Sequence, residues 1–553
     1  MPNKQHNRAA GPNPVENLDA VVIGAGFGGL YALYTLRESG LAVRAFDAAG
    51  GVGGTWWWNC YPGARVDFPG GPFYCYTFSE ELIKEWDWPE TQPDQQTVLA
   101  YLNYVADKFD LRRDIQLETR VDAARYDEAA QRWLIETRDG RQTRAQFLIC
   151  ALGTLSQAHT PDIAGFERFT GECYHTGHWP HDKVEFSGKR VAIIGTGSSA
   201  IQTIPVIARE AKHLTVFQRT PQFSIPAGNR PIDVELMRQA RENWPAVRAR
   251  MMKSPMGSPY PAPDLVSRDH NAEQRQAMFE QHWRRGSLGM LFETYYDVLT
   301  NRATNAELAE FMRDKIRDIV KDPAVCAKLL PDYYLGTKRQ VLDEGYYETF
   351  NRDNVTLVDL REDAFEAMTP TGIAMSSGEE HPIDMLILAT GYDAITGSLE
   401  ALNPYGRGGI SLKDKWAERF STYLGMTIPG FPNLFMIHGP ESPSVLFNMP
   451  LGAELQSDWI RDCIHSLWAN GQGAIEATPE AEMAWGREVE EIASHTMFSA
   501  DIDSWYSGAN IPGKHRQFAV YLGGGNFYKR IAEVAKNNYP GLVREAARSN
   551  RTS

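Results

Sequence analysis

Apolar and polar residues near the start of the chain are arranged as a strand, a helix and a second strand. "DAVVIG" (19–24) is a short apolar run, which is typical of a strand buried in a parallel sheet. Apolar residues then recur at helical spacing through "LYALYTLRESG" (30–40), and "LAVRAFD" (41–47) predicts a second strand that ends in an acid. Residues 19–47 therefore predict a strand–turn–helix–strand unit.

The same arrangement returns in residues 188–220, between "GKRVAIIG" and "HLTVFQRT". Two further apolar strands, "RAQFLICALGTLS" (144–156) and "PIDMLILATGYDA" (382–394), each run into a turn of small residues. Residues 225–330 differ, because their apolar residues recur at helical spacing with charged residues between them. These patterns predict an α/β protein with a mostly helical insertion.

Length, charge and tail composition describe a globular protein with an acidic surface. The 553 residues exceed what one core can organise, so several domains are expected. A net charge of −14 argues against nucleic acid and an anionic membrane as partners. No apolar run reaches the roughly 18 residues of a membrane span. Residues 1–19 are polar, lack the apolar core of a signal peptide and are predicted to form a flexible tail.

Cysteine usage gives an expectation about the compartment. Six cysteines are scattered along the chain without a C-x-x-C pair. This usage is typical of a reducing environment and predicts a cytoplasmic protein without a zinc knuckle or a dithiol redox centre.

The first glycine turn has the residues of a dinucleotide-binding site. Gly24, Gly26 and Gly29 form G-x-G-x-x-G: the first permits a tight turn, the second lets the backbone approach a pyrophosphate, and the third lets helix pack on strand. The helix N-terminus adds unpaired N–H groups. Asp47, 18 residues after Gly29, can hydrogen-bond a ribose hydroxyl. The turn therefore predicts a bound dinucleotide, with a glycine turn that only packs as the alternative.

The second glycine turn predicts a different nucleotide. Gly195, Gly197 and Ala200 repeat the pattern, but the following strand ends in Arg219 instead of an acid. A guanidinium can bind a 2′-phosphate through two parallel hydrogen bonds, whereas a carboxylate would repel it. We therefore expect NADPH, with a solvated strand-end charge as the alternative for Arg219. Two such sites indicate a flavoenzyme in which FAD occupies the first and NADPH reduces it from the second.

The predicted fold is α/β, with two Rossmann-like dinucleotide-binding domains, for FAD and NADP, and a mostly helical insertion. In chain order, the predicted segments are a flexible N-terminal tail (1–19), the first part of the FAD-binding domain (20–154), the first part of the NADP-binding domain (155–224), the helical insertion (225–330), the second part of the NADP-binding domain (331–389) and the return of the FAD-binding domain with the substrate and NADP-closing loops (390–553).

A histidine-rich passage, "FTGECYHTGHWP" (169–180), lies just before the second glycine turn. A metal site is disfavoured, because His175 and His178 have no cysteine or carboxylate partners at ligand spacing. His175 could act as a base, since imidazole titrates near neutral pH. Its position in the connector between the two dinucleotide units favours a structural joint. Phe169 and Trp179 would anchor this joint, and His175 would hydrogen-bond across it.

Three motifs resemble those of the type I Baeyer–Villiger monooxygenases, which are class B flavoprotein monooxygenases, and the resemblance covers nearly the whole chain. The passage above fits their fingerprint F-x-G-x-x-x-H-x-x-x-W-P. "GGTWWWNCYPGARVD" (53–67) fits a second pattern and "LATGYD" (388–393) a third. Related flavin monooxygenases and N-hydroxylases usually carry a shorter fingerprint without the tryptophan-proline end. The joint residues matched by the fingerprint are Phe169, Gly171, His175, Trp179 and Pro180.

The resemblance implies an enzyme that uses FAD, NADPH and dioxygen to convert a ketone into an ester or lactone through a flavin peroxide anion. It assigns the active-site arginine to Arg339, by its "GTKR" context, and the acid that positions it to Asp67. A permanently charged guanidinium suits the anions of this reaction. Lys338 resembles a residue that reaches the NADPH 2′-phosphate. The alternatives are a surface cation for Arg339 and an Asx-turn for Asp67.

The resemblance also implies the lining of the site. "GPESPSVLFNMP" (439–450) is similar to the family's substrate loop, and "DSWYSGANIPGK" (503–514) to the loop that closes over NADPH. The expected substrate contacts are Val445, Leu446, Phe447 and Met449. The expected cofactor contacts are Gly24, Gly26, Gly29, Asp47, Gly54, Thr55, Trp56, Asp67, Gly195, Gly197, Ser198, Ser199, Arg219, Thr220, Lys338 and Trp505.

One departure from the family lies beside Asp67. Family members commonly continue after this aspartate with an acid and a serine, whereas "DFPGGPFYCY" (67–76) stands here. Two prolines and two glycines are expected to reshape the loop and the pocket wall.

Two other functions stay open. A flavin monooxygenase that hydroxylates nitrogen or sulfur would not need Arg339. A catalytically silent NADPH-binding protein would need neither Arg339 nor Asp67.

Overall fold

The computed structural model describes residues 15–68, 73–258, 263–499 and 503–548. Their strands are β1 Glu16–Ile23, β2 Val43–Phe46, β3 Ile115–Gln116, β4 Val121–Asp127, β5 Arg132–Thr137, β6 Gln142–Cys150, β7 Glu172–His175, β8 Arg190–Ile194, β9 His213–Gln218, β10 Ser224–Pro226, β11 Val341–Asp343, β12 Val355–Asp359, β13 Phe365–Met368, β14 Gly372–Met375, β15 Glu380–Pro382, β16 Met385–Leu388, β17 Leu434–Met436, β18 Gln472–Ala477 and β19 Leu542–Ala546. Their α-helices are α1 Phe27–Glu38, α2 Thr55–Trp58, α3 Glu80–Glu85, α4 Gln95–Lys108, α5 Ser198–Glu210, α6 Val234–Glu242, α7 Trp244–Lys253, α8 Ala272–Arg285, α9 Gly289–Phe292, α10 Arg302–Ile319, α11 Pro323–Leu329, α12 Tyr346–Thr349, α13 Gly397–Leu402, α14 Leu412–Lys415, α15 Met449–Ala469, α16 Pro479–Ser494 and α17 Asn526–Lys536.

The first sheet has the strand order β3-β2-β1-β6-β5-β4. Strands β1, β2 and β3 are parallel, and β6 joins them beside β1. Strand β5 pairs antiparallel with the first half of β6, and β17 pairs parallel with its second half. A strand from late in the chain therefore completes the sheet that the N-terminal region begins. Strand β1 starts at Glu16, earlier than the predicted end of the tail, because Glu16 pairs with Thr143.

The second sheet is entirely parallel, in the order β12-β9-β8-β16-β7. Helices or strands cover both of its faces, which explains the continuous apolar runs in its sequence. Ile193 and Ile387 pack towards α5 on one face. Ala192 and Leu386 pack on the other face against Ile373 of β14.

Each glycine turn lies directly under one of the two apolar strands that end in small residues. Gly24 has a φ of +113°, and a Cβ on it would lie 2.3 Å from the carbonyl oxygen of Ala151, just after β6. Gly195 has a φ of +114°, and its Cβ would lie 2.4 Å from the carbonyl oxygen of Ala389, just after β16. Both positions therefore require glycine, and the two dinucleotide units are built in the same way.

Residues between β10 and β11 are mostly helical, from α6 to α11, with 259–262 outside the described residues. Phe279 and Met312 form a core of their own with Phe223 and Leu342, next to the two sheets. The predicted helical character of this segment agrees with these elements, while the exact domain boundaries stay a prediction. No helix among the described residues is both long and apolar enough to cross a membrane.

Candidate active site

A cavity of about 1370 Å³ runs from the first glycine turn to the second and on to the segment before α15. It opens at the carboxyl ends of the parallel strands, where dinucleotide-binding sheets hold their ligands. Predicted site residues that line it are Gly24, Gly26, Asp47, Gly54, Thr55, Trp56, Asp67, Gly195, Gly197, Ser198, Ser199, Arg219, Thr220, Lys338, Arg339, Val445, Phe447, Met449 and Trp505.

The first glycine turn forms a close-fitting cradle. The Cβ that Gly26 lacks would lie 3.3 Å from the Cα of Gly54, so the turn and the "GGTW" segment face each other at backbone distance. Asp47 accepts hydrogen bonds from the amides of Ala25 (2.6 Å) and Ala49 (2.8 Å). Burial raises the pKa of Asp47, and these two N–H groups oppose the rise. A carboxylate beside a glycine cradle is what the ribose and pyrophosphate of FAD require.

Gly29 does not line the cavity. Its missing Cβ would lie 1.8 Å from the carbonyl oxygen of Gly24, so this glycine lets α1 pack against the turn. That is the packing role that its motif position predicts.

The second glycine turn faces two cations. Gly197 has open space where a Cβ would be, and α5 begins at Ser198 with its N–H groups at the cavity. Arg219 and Lys338 both line the cavity. Burial and the nearby Arg219 lower the pKa of Lys338, and Asp503 opposes them. Two cations held near each other fit the 2′-phosphate of NADPH.

Arg339 and Asp67 form an ion pair across 272 residues of sequence. The Nε of Arg339 donates to Oδ2 of Asp67 over 2.7 Å, and its Nη1 donates to the carbonyl oxygen of Val445 over 3.0 Å. The two side chains are only 21% and 26% exposed. Burial works against the charged arginine, but Asp67 and the Tyr506 hydroxyl together outweigh it and raise the pKa of Arg339. The cavity therefore contains one permanent, fixed positive charge beside the predicted substrate wall.

The structure places three of the four predicted substrate contacts at the cavity. Val445, Phe447 and Met449 line the cavity. Leu446 ends the 3₁₀ turn Ser444–Leu446, does not line the cavity and packs, like Val445, against the hydrophobic core of the first sheet. The Pro/Gly loop after Asp67 cannot be compared with its expectation, because 69–72 lie outside the described residues.

The fingerprint passage links the two dinucleotide units. Its His175 does not line the cavity. Nδ1 of His175 accepts from the amide of Gly177 (2.9 Å), and Nε2 lies 3.2 Å from the carbonyl oxygen of His159. Burial lowers the pKa of His175, so its ring is neutral at neutral pH. The amide of Trp179 donates to the carbonyl oxygen of Trp58 over 3.3 Å, which ties the passage to α2.

The other fingerprint residues are arranged around this link. Trp179 is buried beside Tyr174, and the carbonyl oxygen of Pro180 lies 3.6 Å from the Cys60 thiol. A Cβ on Gly171 would lie 2.4 Å from the ring of Phe169, so the glycine makes room for that ring. Within the described ranges, no three His, Cys, Asp or Glu side chains are grouped to hold a metal ion.

Sequence reasoning missed two side chains that hold Arg339. Nε2 of Gln222 donates to the backbone carbonyl of Arg339 over 2.8 Å, and its Oε1 accepts from the Tyr333 hydroxyl over 2.5 Å. The Tyr506 hydroxyl lies against the Arg339 guanidinium. Neither contact has a local signal, because Gln222 and Tyr506 lie more than one hundred positions from Arg339.

Comparison with known proteins agrees with this geometry. The flavin-binding monooxygenase-like family matches residues 19–226. A Baeyer–Villiger monooxygenase from Pseudooceanicola batsensis is 42% identical over 533 residues, covering 96% of each chain. A phenazine N-monooxygenase from Lysobacter antibioticus is 41% identical over 96% of this chain and 98% of its own.

A solved structure of OTEMO in complex with FAD and NADP matches with a TM-score of 0.91 and 39% identity, covering 95% of this chain and 99% of the other. The predicted fold with two Rossmann domains, the predicted reaction and the predicted cofactors FAD and NADP are confirmed. With full-length identity above 40% and both glycine turns in place, the chain belongs to the Baeyer–Villiger monooxygenases.

Proposed function

We propose that Arg339, oriented by Asp67, is the group that stabilises negative charge while a ketone is converted to an ester or lactone. Bound FAD, reduced by NADPH, supplies the oxygen-activating chemistry. The protein contributes a fixed cation, only 21% exposed, at the place where anions form. The observation that carries the proposal is the 2.7 Å bond between Nε of Arg339 and Asp67, together with the 3.0 Å bond to Val445.

The two bonds determine which part of the guanidinium remains available. Asp67 takes the Nε edge, and the Val445 carbonyl takes one terminal nitrogen. A planar guanidinium has five N–H donors in a rigid fork, so fixing two of them leaves rotation about the axis through the two contacts as its main freedom. The donors left over can point at a developing oxyanion with little reorientation during the reaction.

Arg219 and Lys338 are proposed to select NADPH over NADH. Their mutual repulsion, which contributes to the lowered pKa of Lys338, is relieved when a phosphate dianion binds between them. The carboxylate Asp47 occupies the corresponding strand end in the first unit, where the nucleotide has no 2′-phosphate. This difference supports FAD in the first site and NADPH in the second.

Val445, Phe447 and Met449 are proposed to hold the hydrocarbon body of the ketone. They line the part of the cavity next to Arg339, since the Val445 carbonyl is bound to its guanidinium. An apolar wall beside one fixed cation suits a substrate with a single polar carbonyl. We also propose a cytoplasmic location, supported by the free thiols of Cys60, Cys150, Cys173, Cys326 and Cys463.

A hydroxylating activity on nitrogen is the second candidate, because one relative with 41% identity is named a phenazine N-monooxygenase. The two candidates differ in their need for Arg339. The test is a panel of cyclic, linear and aryl ketones and of aromatic nitrogen compounds, given to purified FAD-loaded protein. NADPH loss is followed by absorbance, and products are identified by mass spectrometry. N-oxide formation without any ester or lactone would replace the first candidate by the second.

A further inference from the structure

Tyr506 lies in a 3₁₀ turn, Trp505–Ser507, within the segment that was predicted to contact NADPH. Trp505 lines the cavity, but Tyr506 points inwards and is only 1% exposed. Its ring packs against Phe498 and Phe518, with ring centroids 5.6 and 6.2 Å away. A tyrosine packed so tightly holds its hydroxyl in one place.

That place is beside the guanidinium of Arg339. Arg339 already donates to Asp67 and to the carbonyl of Val445, and the phenol oxygen is a third polar neighbour, from another part of the chain. Burial raises the pKa of Tyr506 to about 12, so the group stays a neutral phenol at working pH. A neutral acceptor holds the cation without reducing its net charge, which a second carboxylate would do.

The start of the same segment, two residues before the turn, also contacts the residue before Arg339. The Lys338 ammonium donates to the backbone carbonyl of Asp503. The segment is attached at its far end as well, where Nδ2 of Asn510 donates to the carbonyl of Tyr392 over 2.8 Å and Lys514 pairs with Asp393. Segment 503–514 therefore connects the two consecutive cations of the site to Tyr392 and Asp393, in the turn that follows β16.

We propose that Tyr506 is a positioning residue for the reaction, which fixes the third side of the Arg339 guanidinium so that its free donors face the reacting oxygen. The proposal rests on the role of Arg339 given above. Without the phenol oxygen, two contacts remain and the guanidinium can turn about the axis that they define. The charge would persist, but its direction would be lost.

The test is Tyr506→Phe, which removes one oxygen and leaves the ring packing intact. We expect kcat for ester formation to fall roughly tenfold, as a lost hydrogen bond to a charged group suggests, while the NADPH KM changes less than twofold. The hydrogen peroxide released per NADPH should rise. Tyr346→Phe is the matched control, because Tyr346 is equally buried, its hydroxyl has no hydrogen-bond partner among the described residues, and it does not line the cavity.

A second measurement does not depend on turnover. Phenylglyoxal attacks free guanidinium groups, and peptide mapping gives the modification rate of Arg339 alone. In Tyr506→Phe this rate should rise several-fold, and in Tyr346→Phe it should stay at the parental value. Unchanged kcat and an unchanged modification rate in Tyr506→Phe would overturn the proposal.

A double-variant comparison distinguishes an effect of Tyr506 that passes through Arg339 from a direct effect of Tyr506 on the reaction. If Tyr506 acts through Arg339, Tyr506→Phe should have no further effect on ester formation in an Arg339→Lys background. An equal loss in both backgrounds would mean that the tyrosine acts by itself and would refute the positioning role. If Arg339→Ala alone leaves ester formation intact, the proposed function fails, whatever Tyr506→Phe does.

Discussion

Replacement of Arg339 by alanine removes the positive charge that the structure fixes between Asp67 and the predicted substrate wall. A negative charge about 4 Å from a cation is stabilised by roughly 4 kcal/mol at the effective dielectric constant of about 20 that suits partly buried sites. The guanidinium is 21% exposed, so water screens part of this field. Loss of one such fixed contact typically costs about 3–4 kcal/mol, which is a hundred- to thousandfold in rate.

The variant has a second consequence, because Asp67 keeps its charge and loses its partner. An unpaired carboxylate beside the reacting oxygen repels an anion, so the expected loss lies at the upper end of that range. Flavin reduction should survive, since the second glycine turn and Arg219, which we propose hold NADPH, are not touched by the change. The variant should consume NADPH slowly and release hydrogen peroxide instead of ester.

Stopped-flow absorbance of the flavin measures reduction, and chromatography with mass spectrometry measures the ester. Arg238→Ala is the matched control, because Arg238 lies on α6, is half exposed and, among the residues that the structure describes, forms ion pairs only with Glu235 and Glu242 on its own helix. Ester production by Arg339→Ala at a rate near that of this control would refute the reasoning. It would also favour the hydroxylating activity, which does not need the cation.

Three further changes test other parts of the site. Arg219→Ala should raise the NADPH KM roughly ten- to a hundredfold and leave the NADH KM nearly unchanged, whereas equal effects in steady-state kinetics would show that Arg219 does not contact the 2′-phosphate. His175→Ala should slow turnover roughly tenfold by loosening the joint, with FAD content unchanged; a loss confined to ketone conversion, with a vanished pKa near neutrality in the rate profile, would instead make His175 a base. Glu454 is fully buried against Thr77, and burial raises its pKa to about 7, so its protonated form stabilises the fold at low pH and this contribution is lost as the pH rises from about 4.5 through 7. Glu454→Gln should therefore gain Tm relative to the parent as the pH increases from 5 to 8, and a constant Tm difference by calorimetry would contradict this.

The glycine turns could be predicted from sequence because their requirements are local. Gly24 and Gly195 each need a positive φ and close backbone approach, and both needs are encoded within one strand–turn–helix unit. Arg339 and Asp67 were predicted through resemblance, since nothing in their local spacing indicates that they meet. The structure supplies that contact, at a separation of 272 residues.

Leu446 was expected to contact the substrate because its loop resembles the family's substrate loop, yet it does not line the cavity. In the 3₁₀ turn successive side chains point in different directions, so neighbours of a lining residue face the core. Tyr506 could not be predicted from sequence. The family resemblance of its segment was assigned to its neighbour Trp505, and the contact between Tyr506 and Arg339 depends on the tertiary fold.

One loop limits how the NADP-binding module can be exchanged between related enzymes. The segment after α2 belongs by sequence to the first dinucleotide unit, yet it is bonded to α5 of the second: Tyr61 donates to Gln202 over 2.9 Å, and Thr203 donates to the carbonyl of Pro62 over 2.5 Å. A Cβ on Gly63 would lie 2.3 Å from the carbonyl of Gln202. A chimera that takes its NADP-binding module from another enzyme must therefore take residues 61–63 from the same donor, although they lie far outside that module in the sequence.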